Sequence, residues 1–125
     1  MIAGIGIDII RAGRIKEAID RHGKRFTDRV FTQYEQEYCL SKRDAFESLA
    51  ARFSVKEAVF KALGRGWDEC EGFTSVEVVS DSNHRPHVVL HGKAKHFADS
   101  LGVHHIFVTI THDGGISGAV VILEK

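Results

Sequence analysis

Proline, tryptophan and methionine each occur once in these 125 residues, and cysteine twice. Cys39 and Cys70 lie far apart and form no Cys-x-x-Cys pair, which excludes a disulfide framework and a zinc knuckle and makes free thiols in a reducing cytoplasm the expectation. Net charge is missing too. Lys plus Arg number 17 and Asp plus Glu 17, so nothing in the total marks a nucleic-acid or membrane binder. No Pro- or Ser-rich linker, repeat or low-complexity stretch divides the chain. The longest strongly apolar run, Gly114 to Leu123, is about half the ~20 residues a membrane-spanning helix requires. Met1 to Ile10 has no basic segment and carries Asp8 within its apolar stretch, so no export signal is expected and the predicted location is cytoplasmic. His-Glu-x-x-His, Gly-x-Ser-x-Gly and paired histidines at metal spacing are also absent, which sets aside zinc- and serine-hydrolase chemistry.

With 43% hydrophobic and 27% charged residues, one packed domain over 1–125 is expected. Ile2 to Ile10 alternates Ile2, Gly4, Gly6 and Asp8 with Ala3, Ile5, Ile7 and Ile9, the period of a strand. Arg11 to His22 reads as a short amphipathic helix stopped by Gly23, and Phe26 to Leu40 as one or two more, with Thr32 and Glu35 spaced as a capping box. Asp44 to Leu63 is apolar on most sides and predicts a central, buried helix. Val76 to Ser80 and His87 to Leu90 predict a hairpin, Lys93 to Leu101 a helix, and His104 to Thr111 with Ser117 to Leu123 a second hairpin across Asp113-Gly114-Gly115. The fold class is α+β, an antiparallel sheet packed on a long central helix.

Five features invite chemistry. Glu57 falls on the apolar stripe of Phe46, Leu49, Phe53 and Phe60, where a carboxylate needs a cation, a metal or a cleft beside it; an ion pair with Lys61 at helical spacing is the plain alternative. Asp8 follows isoleucines and glycines at a strand end, and is either the cap of the next helix or a ligand beside a side-chain-poor face. Two such carboxylates suit Mg²⁺ with phosphate oxygens, whereas Zn²⁺ would want His or Cys. Gly64-Arg65-Gly66 ends a helix instead of starting one, so it is no dinucleotide fingerprint; Gly64 reads as a left-handed cap, and the turn with Lys61 and Arg65 can hold a phosphate. His112 is the best placed of eight histidines, as a structural residue or a ligand. Residues 11–29 hold seven basic side chains against three acidic ones, either a solvated face or a docking patch for an acidic protein.

Together, Gly4-Ile5-Gly6-Ile7-Asp8-Ile9, Arg25-Phe26 with Arg29-Val30-Phe31-Thr32 and Glu35, Arg52-Phe53-Ser54-Val55-Lys56-Glu57-Ala58 with Lys61-Ala62-Leu63-Gly64-Arg65-Gly66, and Thr109-Ile110-Thr111-His112 resemble the holo-acyl-carrier-protein synthase family. The resemblance spans nearly the whole chain in order. It implies the 4′-phosphopantetheinyl transferase fold, and Mg²⁺-dependent transfer of 4′-phosphopantetheine from coenzyme A to a serine of apo acyl carrier protein, releasing adenosine 3′,5′-bisphosphate, in fatty acid biosynthesis. It implies that Asp8 and Glu57 bind the metal, that Lys61 steadies the diphosphate, and that Glu57 or a water on the metal takes the serine proton. Gly64 and Gly66 would line the cofactor site, His112, Arg52 and Lys42 or Arg43 would reach the 3′-phosphate, and Arg14, Phe26 and Arg29 would grip the carrier protein. It further implies a homotrimer with active sites shared between subunits, Asp8 and His112 facing one another across chains. No nucleic acid and no membrane take part. Longer transferases of broad specificity have two similar halves, which this length does not accommodate.

Some positions depart from the family pattern. Thr111-His112-Asp113 stands for the usual Ser-His-Glu, Ser54-Val55 for a common Ala-Ala, and Arg65 and Trp67 flank Gly66 where smaller residues are typical. Two other readings are open: a non-catalytic module docking an acidic protein, and a nucleotide-binding or hydrolysing protein that needs no carrier.

Overall fold

Glycine sets how the first strand packs. In a computed structural model that describes residues 1–125, β1 (Ile2–Arg11) turns Gly4 and Gly6 toward the long helix α4 (Ala45–Leu63). A Cβ on Gly4 would stand 2.1 Å from the Ala62 carbonyl oxygen, and one on Gly6 1.8 Å from that of Ala58. Only residues without side chains let strand and helix lie this close. Isoleucine therefore faces outward: Ile5, Ile7 and Ile9 are 64%, 65% and 69% exposed. Gly6→Ala is expected to pry the two elements apart at a cost of about 3 kcal/mol, read as a lower urea midpoint.

The elements between follow from local signals. Helix α1 (Ala12–His22) ends at Gly23, whose φ of +57° suits a residue without Cβ, and α2 (Lys24–Val30) follows at once. Helix α3 (Gln33–Leu40) opens on a complete capping box. The Thr32 side chain accepts from the Glu35 N–H while the Glu35 carboxylate accepts from the Thr32 N–H. Beyond α4, a 3₁₀ turn (Phe73–Ser75) leads into β2 (Val76–Ser80), β3 (Pro86–Leu90), α5 (Gly92–Ser100), β4 (His105–Asp113) and β5 (Ile116–Glu124). Gly114 and Gly115, at φ +56° and +80°, make the two-residue turn that a twisted hairpin prefers.

The single antiparallel sheet expected from the sequence is in fact two. Strands β1, β5 and β4 form one in that order, with β5 central; β2 and β3 form a separate hairpin. The two sheets meet where β3 approaches β4 without pairing with it, and the outer edge of β2 is closed as well, the Val78 N–H donating to Glu35 Oε2 at 2.7 Å and not to a further strand. A side chain from α3 has ended the sheet there.

Helix α4 is central and buried for most of its length, as its pattern predicts. Its first half packs with Ile15, Phe31 and Cys39, its second with Val76, Val121 and Leu123. Cys39 and Cys70 are both buried free thiols. One ion pair is wholly enclosed, Lys56 of α4 with Glu35 of α3. No helix is long and apolar enough to cross a membrane.

Candidate active site

The close approach of β1 to α4 carries Asp8 to the helix. Asp8 faces the same side of the strand as Gly4 and Gly6, in register with Ala119 of β5, and its side chain is largely covered. From α4, Lys61 reaches across and donates to Asp8 Oδ1 at 3.2 Å and to the Ile7 carbonyl at 3.0 Å. The helical Glu57–Lys61 ion pair is not formed, because the ammonium finds two acceptors on β1 instead. Nor does Asp8 cap α1. The residue at that cap is Arg11, with no side-chain hydrogen bond.

Glu57 lies one turn before Lys61 and is half-buried. Burial pushes its carboxyl above the usual carboxylate range, the Asp8 charge adds to the push, and Lys61 and Arg14 pull the other way. Asp8, Glu57, Lys61 and Arg14 thus share one electrostatic neighbourhood, drawn from β1, α4 and α1. Two carboxylates held within range of mutual repulsion beside a lysine form an arrangement suited to a small cation and a phosphate.

The same helix then supplies a turn. Gly64, in the left-handed region at φ +70°, caps α4 and donates to the Lys61 carbonyl at 3.2 Å. At Gly66 a Cβ would meet Asp68 Oδ1 at 2.7 Å.

A separate concavity of about 340 Å³ opens along the first half of α4, with Lys42, Arg52 and His112 in its lining. Arg52 is 8% exposed; its Nη1 donates to Ser48, its Nη2 to Ser80 Oγ at 3.2 Å, and its guanidinium lies 4.8 Å above the Tyr38 ring. Its Nε, buried, has no partner. His112 stands at the rim, 3.9 Å from Glu47 Oε2. Arg43 instead lines a separate hollow with Lys16 and Phe46, so of Lys42 and Arg43 it is Lys42 that shares the cleft with Arg52 and His112. Within one chain His112 and Asp8 line different concavities.

Residues 4–121 match the 4′-phosphopantetheinyl transferase superfamily. Over 109 residues the chain is 47% identical to a holo-[acyl-carrier-protein] synthase of Ruminiclostridium cellulolyticum, covering 86% of this chain and 81% of that one. The chain belongs to the holo-acyl-carrier-protein synthase family. Members of this family are phosphopantetheinyl transferases. The backbone agrees: the crystal structure of the synthase from Neisseria meningitidis superposes with a TM-score of 0.91 at 26% identity, covering 100% of both chains. That of the Helicobacter pylori synthase, solved in complex with coenzyme A, gives 0.84 at 29% identity over 96% of this chain and 99% of that one.

Against that family pattern, the departures now have surroundings. Arg65 is committed to Glu69 at 3.3 Å and lies 4.3 Å over the Phe97 ring, turned to the protein's own groups. Trp67 stacks on Phe73 at 5.5 Å, and the guanidinium of Arg29 lies 5.5 Å above its ring. Arg29 also borders, with His22, Arg25 and Phe26, a hollow of about 370 Å³ on α1 and α2. Phe26 is half-buried there, edge-on to Phe31 at 6.1 Å. Arg14, exposed on α1, bridges this basic surface to Glu57 electrostatically. Sequence reasoning missed Tyr38, Ser48 and Ser80, which frame Arg52; the hydroxyls sit on three elements, and no spacing links them.

Proposed function

We propose that the chain transfers the 4′-phosphopantetheine group of coenzyme A to a serine hydroxyl of apo acyl carrier protein and releases adenosine 3′,5′-bisphosphate, in the cytoplasm and in the service of fatty acid biosynthesis. The observation that carries this is the meeting of Asp8 and Glu57, from separate elements, beside Lys61. No third His, Cys, Asp or Glu joins them. A donor set of two carboxylates fits Mg²⁺, which completes its octahedron with water and phosphate oxygens, and Asp8 and Glu57 are the residues that would hold it. When bound there, Mg²⁺ draws negative charge off the diphosphate.

The chain's own groups do the rest. Lys61, more than half exposed and already held at Asp8, presents its ammonium to the diphosphate oxygens. The serine oxygen forms the new bond to phosphorus as the bond to the nucleotide's phosphate oxygen breaks, and the serine proton passes to Glu57. Gly64 and Gly66 add no side chains of their own to the turn after α4 where the cofactor passes, and Arg65 between them is held at Glu69. The unpartnered Nε of the buried Arg52, with Lys42 and His112 beside it, supports binding of the nucleotide's 3′-phosphate in the second cleft. Arg14, Phe26 and Arg29 receive the acidic helix of the carrier protein.

A homotrimer with shared active sites accounts for the outward isoleucines. In cross-strand rows, Ile5 lies beside Ile122 and Phe107, and Ile7 beside Val120 and Thr109, an apolar face too continuous for solvent. Packing copies on this face would bring His112 of one chain toward Asp8 of the next. Ile7→Lys is expected to yield a folded monomer by analytical ultracentrifugation with at least a tenfold loss of transfer; a fully active monomer would end the shared-site reading.

The deciding experiment is mass spectrometry of apo acyl carrier protein after incubation with the chain, coenzyme A and Mg²⁺. A gain of one phosphopantetheine is expected, abolished by EDTA and restored by Mg²⁺. Binding of carrier protein without any mass gain would favour a docking module, and consumption of coenzyme A without a carrier would favour a nucleotide hydrolase.

A further inference from the structure

Lys56 precedes Glu57 by one residue and so projects about 100° away from it around α4. Its side chain and that of Glu35 are both wholly buried. The ammonium lies 2.9 Å from Glu35 Oε1 and donates to the carbonyls of Phe73, at 3.1 Å, and Val76. Its three protons therefore have three acceptors. Glu35 is equally committed, taking the Thr32 N–H on Oε1 at 2.8 Å and the Val78 N–H on Oε2 at 2.7 Å. The N-terminus of α3, the 3₁₀ turn, β2 and α4 are joined at this point.

Stability is a poor reason for such a pair, since desolvating two charges offsets most of their attraction and an apolar pair of like volume commonly does as well. Geometry is a better one. On its other side α4 rests on Gly4 and Gly6, which offer it no side chains, and on Val121 and Leu123, whose apolar contacts are non-directional, whereas the hydrogen bonds of Lys56 fix one rotation of the helix. A roll of about 20° would sweep a carboxylate at the helix rim, about 5–6 Å from the axis, through about 2 Å. That is a whole Mg–O bond length, about 2.0–2.1 Å.

We infer that Lys56, clamped by Glu35 and the Phe73 and Val76 carbonyls, is a positioning residue that fixes the roll of α4 and thereby aims Glu57 at the ion shared with Asp8. The inference rests on the transferase reading. Lys56 itself touches neither substrate nor metal.

The test is the double variant Lys56→Met/Glu35→Gln, which removes both charges and keeps the volume; the new amide oxygen can accept from only one of the Thr32 and Val78 N–H groups, and the Phe73 and Val76 carbonyls lose the ammonium. Thermal unfolding, steady-state transfer and Mn²⁺ binding by electron paramagnetic resonance in the presence of coenzyme A are measured on the folded protein. A lowered melting temperature with a cooperative transition is expected, with KM for coenzyme A nearly unchanged. Both kcat and Mn²⁺ affinity are expected to fall about tenfold or more, the scale typical of outer partners of a metal site. A purely structural pair would alter melting and leave kcat and Mn²⁺ affinity at wild-type values, which overturns the inference. If the double variant does not fold, Glu35→Gln alone, which keeps both carbonyl acceptors of Lys56, is expected to weaken Mn²⁺ binding in the same direction; unchanged binding there overturns it equally. A wild-type protein that neither transfers nor binds Mn²⁺ removes the transferase reading and this inference together, whereas wild-type activity beside an unaltered variant removes the inference alone.

Discussion

Asp8→Asn and Glu57→Gln are each expected to leave a folded protein in which phosphopantetheine transfer falls by about 10³-fold or more, because removing several kcal/mol of charge stabilisation at phosphorus costs a decade per 1.36 kcal/mol. The accompanying stability change is the more discriminating result. Glu57 is half-buried, and Asp8 disfavours its ionised form. Glu57→Gln relieves that repulsion without breaking the Lys61–Asp8 pair, so its melting temperature is expected to hold or rise while activity collapses. Sites kept strained for function behave this way, and structural ion pairs do the opposite. Retention of full transfer by the folded Glu57→Gln protein, measured by mass spectrometry of the carrier, would dispose of the shared-ion reading. A loss of activity that merely tracks unfolding would point instead to a structural role.

The largest loss of stability is expected at Glu35→Ala. That change leaves the enclosed Lys56 ammonium without its counter-charge and strands the Val78 and Thr32 N–H groups. Removing one partner of a buried pair typically costs about 3–5 kcal/mol, against a total of about 5–15 for a domain of this kind. Urea unfolding followed by circular dichroism measures it, and a loss below about 1 kcal/mol would mean that water reaches the vacated site. The contrast with the charge-free double variant matters: that protein loses the same ion pair without leaving an unpaired charge buried.

Signals that act within a few residues were readable. The Thr32–Glu35 box, Gly23 and Gly64 as helix stops, the Gly114-Gly115 turn and the long apolar run of α4 all declare themselves locally, and the elements match to within two or three residues. What the sequence could not display was competition from afar. Glu57 and Lys61 have ideal spacing for a pair, yet Asp8, distant in sequence, takes the lysine. Glu35 is legible as a capping residue, but its second oxygen serves a strand 43 residues on and closes the outer edge of β2. Alternation in β1 separates two faces without saying which is inward; the carbonyls of Ala58 and Ala62 decide for glycine. Lys42 and Arg43 are neighbours on a short connection, and only its course assigns one to the cleft with Arg52. The shared family motifs supplied the chemistry that spacing alone left open.

The indole of Trp67 has an unintended use. It is the only one in the chain, and it lies beneath Arg29, on the basic surface proposed to receive the carrier protein. Any visitor that draws the guanidinium off the ring changes the polarity the indole senses, so the protein's native ultraviolet emission becomes an optical gauge of docking that needs neither label nor turnover.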